Sequence, residues 1–226
     1  MSAWGAAARR TELGPHQLAA LERVVAVRPD VEGRVADLLR ARPWATWCTL
    51  YVDSSNAPGR VAGQPALWAW GARARIGDEI AALLGVSPYL AEAAGPSPLA
   101  GRTPRSDLAE LWGVCYAAQH VLAAWPWLTG VGVRCDNQAT VGAVEGCDGR
   151  RAARPGSYCR EMRAARARLT EILTGAGVLA RATHVRGHGR AGEAPQRAFN
   201  HDADRLARRV ALEINGQTPR EEAVRT

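Results

Sequence analysis

Four carboxylates stand where chemistry on a phosphodiester would need them. Asp53 ends the apolar, β-branched stretch ATWCTLYVD and is followed by the turn-rich SSNAPGR; Asp136 ends a second such stretch, GVGVRCD. Open α/β sheets place their sites at the carboxyl ends of strands. Glu110 falls in the first turn or two of a helix, and Asp204 near the start of another, beside a Gly/His loop. Hard divalent cations prefer oxygen ligands, so such a set without Cys or His partners suits Mg²⁺ or Mn²⁺ better than zinc. Gathered carboxylates repel one another and hold protons unless cations neutralise them. Two ions roughly 3.5 to 4 Å apart can activate a water and steady the leaving oxygen of a phosphodiester. Three of the carboxylates, taken singly, also have a structural role open to them: Asp53 as a turn former, Glu110 as a favourable first-turn charge, Asp136 as the cap of the next helix. Their combination and order favour the metal site.

Elements of both kinds are needed to position them. Helical periodicity occurs between Pro15 and Pro43, divided by Pro29, after an Ala/Arg-rich tail. The strand ending in Asp53 follows, and then a strand-like stretch from about Ala66 to Ala74 whose Trp68 and Trp70 share one face and are read as core. Residues 77–105 read as an insertion with a short helical piece from about Asp78 to Leu84 and a Pro/Gly-rich remainder. Ser106 caps the helix bearing Glu110; a helix starts in NQATVGAV, another runs from Ser157 to Thr174, VLARATHV is a strand, and a last helix extends from about Asn200 to Ile214. This divides the chain into an N-terminal tail and helical extension (1–44), a catalytic domain (45–214) and a C-terminal tail (215–226).

Composition narrows the partners. The chain has 226 residues, 47% hydrophobic and 23% charged, which is ordinary globular usage. The net charge is +7, and every basic side chain among the 29 Lys plus Arg is an arginine. A compositional bias of the coding sequence accounts for the missing lysine, but the net positive charge survives that discount and makes a polyanion the first partner to consider. Arg160, Arg163, Arg166 and Arg168 form a basic helix face that is either simply solvated or grips nucleic acid. Five cysteines without a C-x-x-C pair indicate neither a disulfide framework nor a zinc site; Cys48, Cys115 and Cys135 are read as small core residues. No bilayer-spanning run or signal segment is read, so a cytoplasmic protein without membrane association is expected. A monomer is the default expectation.

Asp53 with its Ser/Asn/Gly turn, Glu110 in an A-E-L context, Asp136 in CDNQATV, and G-H followed by NHDADRLA resemble, in that order, the type 1 ribonuclease H family, including the ribonuclease H domains of reverse transcriptases. The resemblance spans roughly residues 46–212, and the closing G-H…N-x-x-x-D-x-L-A is its strongest part. It implies an α/β ribonuclease H-like fold, a five-stranded mixed sheet flanked by helices. The implied activity is hydrolysis of the RNA strand of RNA·DNA hybrids, leaving a 5′-phosphate and a 3′-hydroxyl. Asp53, Glu110, Asp136 and Asp204 match the family's metal carboxylates, holding two Mg²⁺ with Mn²⁺ as a substitute. His188 matches the histidine of the loop before the last helix, which assists proton transfer or product release. Asn200 matches the asparagine opening that helix, Asn56 falls where the family touches the substrate backbone, and Asn137, Arg160, Arg163 and Arg166 are further candidate substrate contacts. His184 and His201 are read as structural or solvent-facing. Asp204 rather than Asp202 fits the spacing from Asn200 and from Leu206-Ala207. Other readings are a different nuclease of the superfamily (resolvase, transposase-like or exonuclease) or a binding module with a degenerate site.

Overall fold

The computed structural model describes residues 46–56, 68–77, 79–87, 106–145, 147, 160–186 and 195–214. The expected N-terminal helices, the 88–105 stretch, most of the 146–159 loop, His188 and the C-terminal tail lie outside them.

Three strands run antiparallel in succession: β1 (Trp47–Asn56), β2 (Trp68–Ile76) and β3 (Glu79–Ser87). Helix α1 (Ser106–Ala124) leads to β4 (Gly130–Cys135), which lies parallel to β1. Helices α2 (Gln138–Val144) and α3 (Arg160–Gly175) precede β5 (Leu179–His184), parallel to β4, and α4 (Pro195–Ile214) ends the described chain. The sheet order β3-β2-β1-β4-β5 is the five-stranded mixed sheet with flanking helices that the ribonuclease H resemblance implies. None of the described helices is long and apolar enough to cross a membrane.

The central strand β1 is covered on both faces, as its near-continuous apolar run requires. Cys48, Leu50 and Val52 point to one face and Tyr51 and Asp53 to the other, all of them buried. On the first face Trp70 forms the centre of the packing. Its indole lies over Gly85 of β3, where a Cβ would come within 2.6 Å of the ring, and its own Cβ lies 2.8 Å from the Cβ position of Gly113 in α1. It also stacks at 6.1 Å on Tyr116. Trp68 and Trp70 are therefore core, as their shared face suggests.

On the opposite face α4 rests on Gly71. A Cβ there would meet the main-chain oxygen of Ala203 at 2.5 Å and the nitrogen of Ala207 at 2.6 Å, so the helix backbone lies directly on the strand. Gly71 is the register partner of Asp53. The same contact that seats α4 thus carries Asp204 toward Asp53.

Two expectations are corrected. The segment read as a helix from Asp78 to Leu84 is β3, so the first part of the supposed 77–105 insertion belongs to the sheet. Its Ala/Leu content favours a helix locally, but a tight link through Gly77 (φ 58°) pairs Ile76 with Glu79, and the ladder with β2 overrides that preference. The last helix begins at Pro195 rather than near Asn200. Proline is well suited to a first helical turn, and Phe199 anchors the added turn with its ring 5.1 Å from that of Tyr51.

Replacing Gly71 by Ala should therefore push α4 off the sheet, costing about 1–3 kcal/mol by overpacking and lowering any activity that needs Asp204. Gly132→Ala is the comparison, because a Cβ there meets nothing nearer than 3.9 Å. Urea denaturation of both variants checks this; equal stability for the two would refute the contact.

Candidate active site

The four carboxylates arrive from four elements. Asp53 lies near the end of β1 on the α4 side, 8% exposed, with Oδ1 accepting from the Ser54 amide at 2.7 Å. Glu110 enters from α1 on the other side of the sheet and is 4% exposed. Asp136 stands half-buried just beyond β4, and Asp204 half-buried on α4.

Neighbouring side chains hold this arrangement. The Cys135 thiol donates to Glu110 Oε2 at 2.8 Å, and the Asn137 amide donates back to Cys135 Sγ at 3.2 Å. Asn137 Oδ1 caps α2 by accepting from the amides of Ala139 (2.9 Å) and Thr140 (3.3 Å). Asn137 rather than Asp136 is thus the cap, which leaves the Asp136 carboxylate outside that role. Buried Thr140 donates from Oγ1 to the Asp107 carbonyl at 3.1 Å, tying α2 to the first turn of α1. His184 Nε2 lies 2.9 Å from the main-chain oxygen of Asp136, anchoring the turn after β4 to the end of β5.

These groups lie within range of one another's charge. The Asp53 carboxyl is pushed up to about 8, first by burial and then by the charges of Asp136 and Glu110; the Ser54 amide opposes this, and Asp204 adds to the rise. Glu110 is pushed up to about 7, mainly by burial, with the Cys135 thiol opposing and Asp136 reinforcing. All three other carboxylates therefore act on Asp53. One oxygen each of Glu110 and Asp136, with Cys135 Sγ, fall within 4.8 Å of one another. Asp53 and Asp204 are outside that tightest group.

The two aspartates of α4 have different neighbours. Asp202 pairs with Arg73 of β2 at 3.5 Å, while Asp204 acts on Asp53. Asn200 does not open the helix. It is a buried second-turn residue, 2% exposed, whose Oδ1 finds no hydrogen-bond partner. The side chains of Asn56 and Arg160 lie outside the described part, as does His188. His201 is exposed, as its position in the sequence suggests.

The arginine face of α3 is not one free surface. Arg166 is turned inward, its Nε donating to the carbonyl of Ala143 in the last turn of α2 at 3.0 Å. Arg168 reaches Glu171 at 3.2 Å and Gln119 at 3.5 Å, and Arg163 is exposed. Helical periodicity groups these side chains but cannot tell which of them a neighbouring helix takes up.

Cys135 and Gly71 have roles that the sequence does not single out. Apolar surroundings assign Cys135 to the core, although it directly precedes a strand-end aspartate, which is the available signal. Cys48, Cys115, Cys135 and Cys147 are all buried thiols, with no disulfide among the described residues.

No protein-family model and no curated protein sequence matches the chain. Among solved structures it is similar to the protease-reverse transcriptase of Prototype Foamy Virus, at 16% identity and TM-score 0.49, over 73% of this chain and 20% of that one. It is also similar to the isolated RNase H domain of that virus, at 16% identity and TM-score 0.47, over 73% of this chain and 94% of the domain.

The raised carboxyls have a consequence for stability. The folded, metal-free protein keeps protons that the unfolded chain releases near pH 4. The stability contributed by these two groups is full below that pH and is lost as pH rises toward about 8. Asp53→Asn should therefore stabilise the metal-free protein at pH 8 by about 1–2 kcal/mol, roughly 2–8 °C in Tm, and by much less at pH 5. Melting curves in EDTA at both pH values test this; destabilisation at pH 8 would contradict the clustering of charge.

Proposed function

We propose that this chain is a metal-dependent endoribonuclease of the ribonuclease H type that cuts the RNA strand of RNA·DNA hybrids, leaving a 5′-phosphate and a 3′-hydroxyl. The observation that carries this reading is the joint action of Glu110, Asp136 and Asp204 on buried Asp53 at the carboxyl end of the sheet. Crowding four carboxylates costs stability and has no structural benefit unless cations bind there.

The donor set fits magnesium, with manganese as a substitute: it is rich in hard oxygen, and the burial and mutual repulsion that raise the Asp53 and Glu110 carboxyls are what bound cations would offset. Asp53, Glu110, Asp136 and Asp204 would hold a pair of ions. Bound there, such ions supply Lewis acidity to an attacking water and to the leaving oxygen of the phosphodiester. The chain's own part is positioning. The Ser54 amide fixes one oxygen of Asp53, the Cys135 thiol fixes one of Glu110, and the Asn137 cap fixes the backbone after Asp136. Burial of Asp53 and Glu110 keeps bulk water from competing for their oxygens. His188 is assigned proton transfer or product release, as the family resemblance implies.

Wild-type protein should cut a hybrid in Mg²⁺ and not in EDTA, with duplex DNA, single strands and four-way junctions left intact; junction or duplex cleavage instead would favour another nuclease of the superfamily. Asp136→Asn should lower hybrid cleavage more than about 100-fold, since removing a group that merely orients a metal ligand already costs about 10–100-fold. Hybrid binding should remain measurable, because phosphate contacts lie elsewhere. Near-normal turnover would remove Asp136 from the site.

Asp204→Asn should also reduce turnover strongly and recover partly in Mn²⁺, which binds oxygen ligands more tightly. Asp202→Asn removes only an ion pair with a partly exposed arginine and should change turnover less than about twofold. The reverse ranking, read from initial rates, would mean that α4 presents the other face to the metals.

A further inference from the structure

Among the described residues, α4 covers only half of its face of the sheet: it packs on β1, β2 and the edge of β3, with no comparable packing on β4 or β5. Strand alternation places Trp47, Thr49, Tyr51 and Asp53 of β1, Gly130, Gly132 and Arg134 of β4, and Leu179, Arg181 and Thr183 of β5 on this side. Arg181 and Thr183 are exposed or partly so, and Gly132 and Arg134 half-exposed. The Arg134 guanidinium carbon lies over the buried Tyr51 ring, 5.7 Å from its centre. Gly132 adds no side chain to that floor. The ridge of α4 and this floor thus form a step running the length of β4 toward the carboxylates.

The charge on the floor has a direction. Its described acidic groups, Asp53 and Asp136, sit at the catalytic end, and away from that end its charged groups are Arg134 and Arg181. Neither arginine has an ion-pair partner among the described residues. A flat cationic track that ends at a cluster of metal-binding carboxylates is complementary to a polyanion whose phosphates pass one by one into the site. The exposed apolar group of the floor, Trp47, lies over Gly130 at the end away from the carboxylates, so the middle of the floor is cationic and suits a polyanion better than a protein partner, which would call for an apolar centre.

We propose that the open β4–β5 floor is a backbone track for one strand of the nucleic-acid substrate, with Arg134 and Arg181 contacting its phosphates. It rests on the ribonuclease reading for the identity of the substrate and extends it to a surface on which that reading does not depend.

Hybrid binding is measured by fluorescence anisotropy across a salt series, in an Asp53→Asn background so that nothing is cut. Arg134→Gln with Arg181→Gln should weaken binding on the order of 10-fold and reduce the salt slope by about two, one for each phosphate no longer neutralised. The Arg134→Gln change retains an aliphatic stem over Tyr51, and melting curves check the fold. Arg181→Glu alone, at an exposed position, should weaken binding by a comparable factor. Arg168→Gln removes the same charge from the opposite layer and should leave the slope unchanged. An unaltered slope in the double variant, or an equal change in the Arg168 variant, overturns the track. Cleavage by the wild-type chain is scored separately. If it cuts no hybrid while the slopes change as stated, the ribonuclease reading fails and the track stands; if it cuts hybrid with unaltered slopes, the track fails alone.

Discussion

Bringing Asp53, Glu110, Asp136 and Asp204 together against their mutual repulsion is the constraint that the rest of the molecule answers. Burial raises the cost, because a low-dielectric surrounding strengthens repulsion as well as attraction. The site is therefore held from several independent directions. Gly71 lets α4 lie on the sheet backbone, Trp70 wedged between Gly85 and Gly113 sets the height of α1, and parallel pairing fixes the ends of β1 and β4 side by side. None of these contacts involves a charged atom. Apolar packing supplies the stability that the carboxylates remove, and the polar contacts with Ser54, Cys135 and Asn137 decide where each oxygen points.

Much of this is legible in the sequence because central strands and the carboxylates at their ends leave local signatures. A buried strand that ends in aspartate is visible in ATWCTLYVD and in GVGVRCD, and the choice of Asp204 over Asp202 follows from spacing. In the structure Asp202 pairs with Arg73. What escapes a reading of the sequence depends on partners distant in the chain. β3 has helix-forming composition and becomes a strand because β2 offers it a ladder, although Gly77-Asp78 between two apolar runs is a hairpin signal. Gly71 looks like any strand glycine until α4 is placed on it. Asn200 looks like a helix opener because the motif begins there, but Pro195 and Phe199 extend the helix beyond the motif.

The arginines show the same limit more sharply. Among the described residues, Arg73 pairs with Asp202, Arg166 caps α2, and Arg75 and Arg134 lie over aromatic rings. A net charge of +7 is thus a property of the whole chain and not a map of where an anion is held. The guanidinium suits all of these uses, as an ammonium would not: its planar fork can donate sideways while its face rests on a ring.

Charge of opposite sign within one face has a physical consequence for any phosphate that approaches. Arginines on the β4–β5 floor attract it, whereas the carboxylates at the end of the floor repel it as long as they are charged. Attraction and repulsion thereby fall to different residues, and bound cations, as the proposed function has them, would remove the repulsion without a change in the fold. Such a division also explains how a site that costs stability can persist. The burden falls on a few buried acids within a sheet whose other contacts are apolar, and the same acids cease to repel one another once their charge is neutralised.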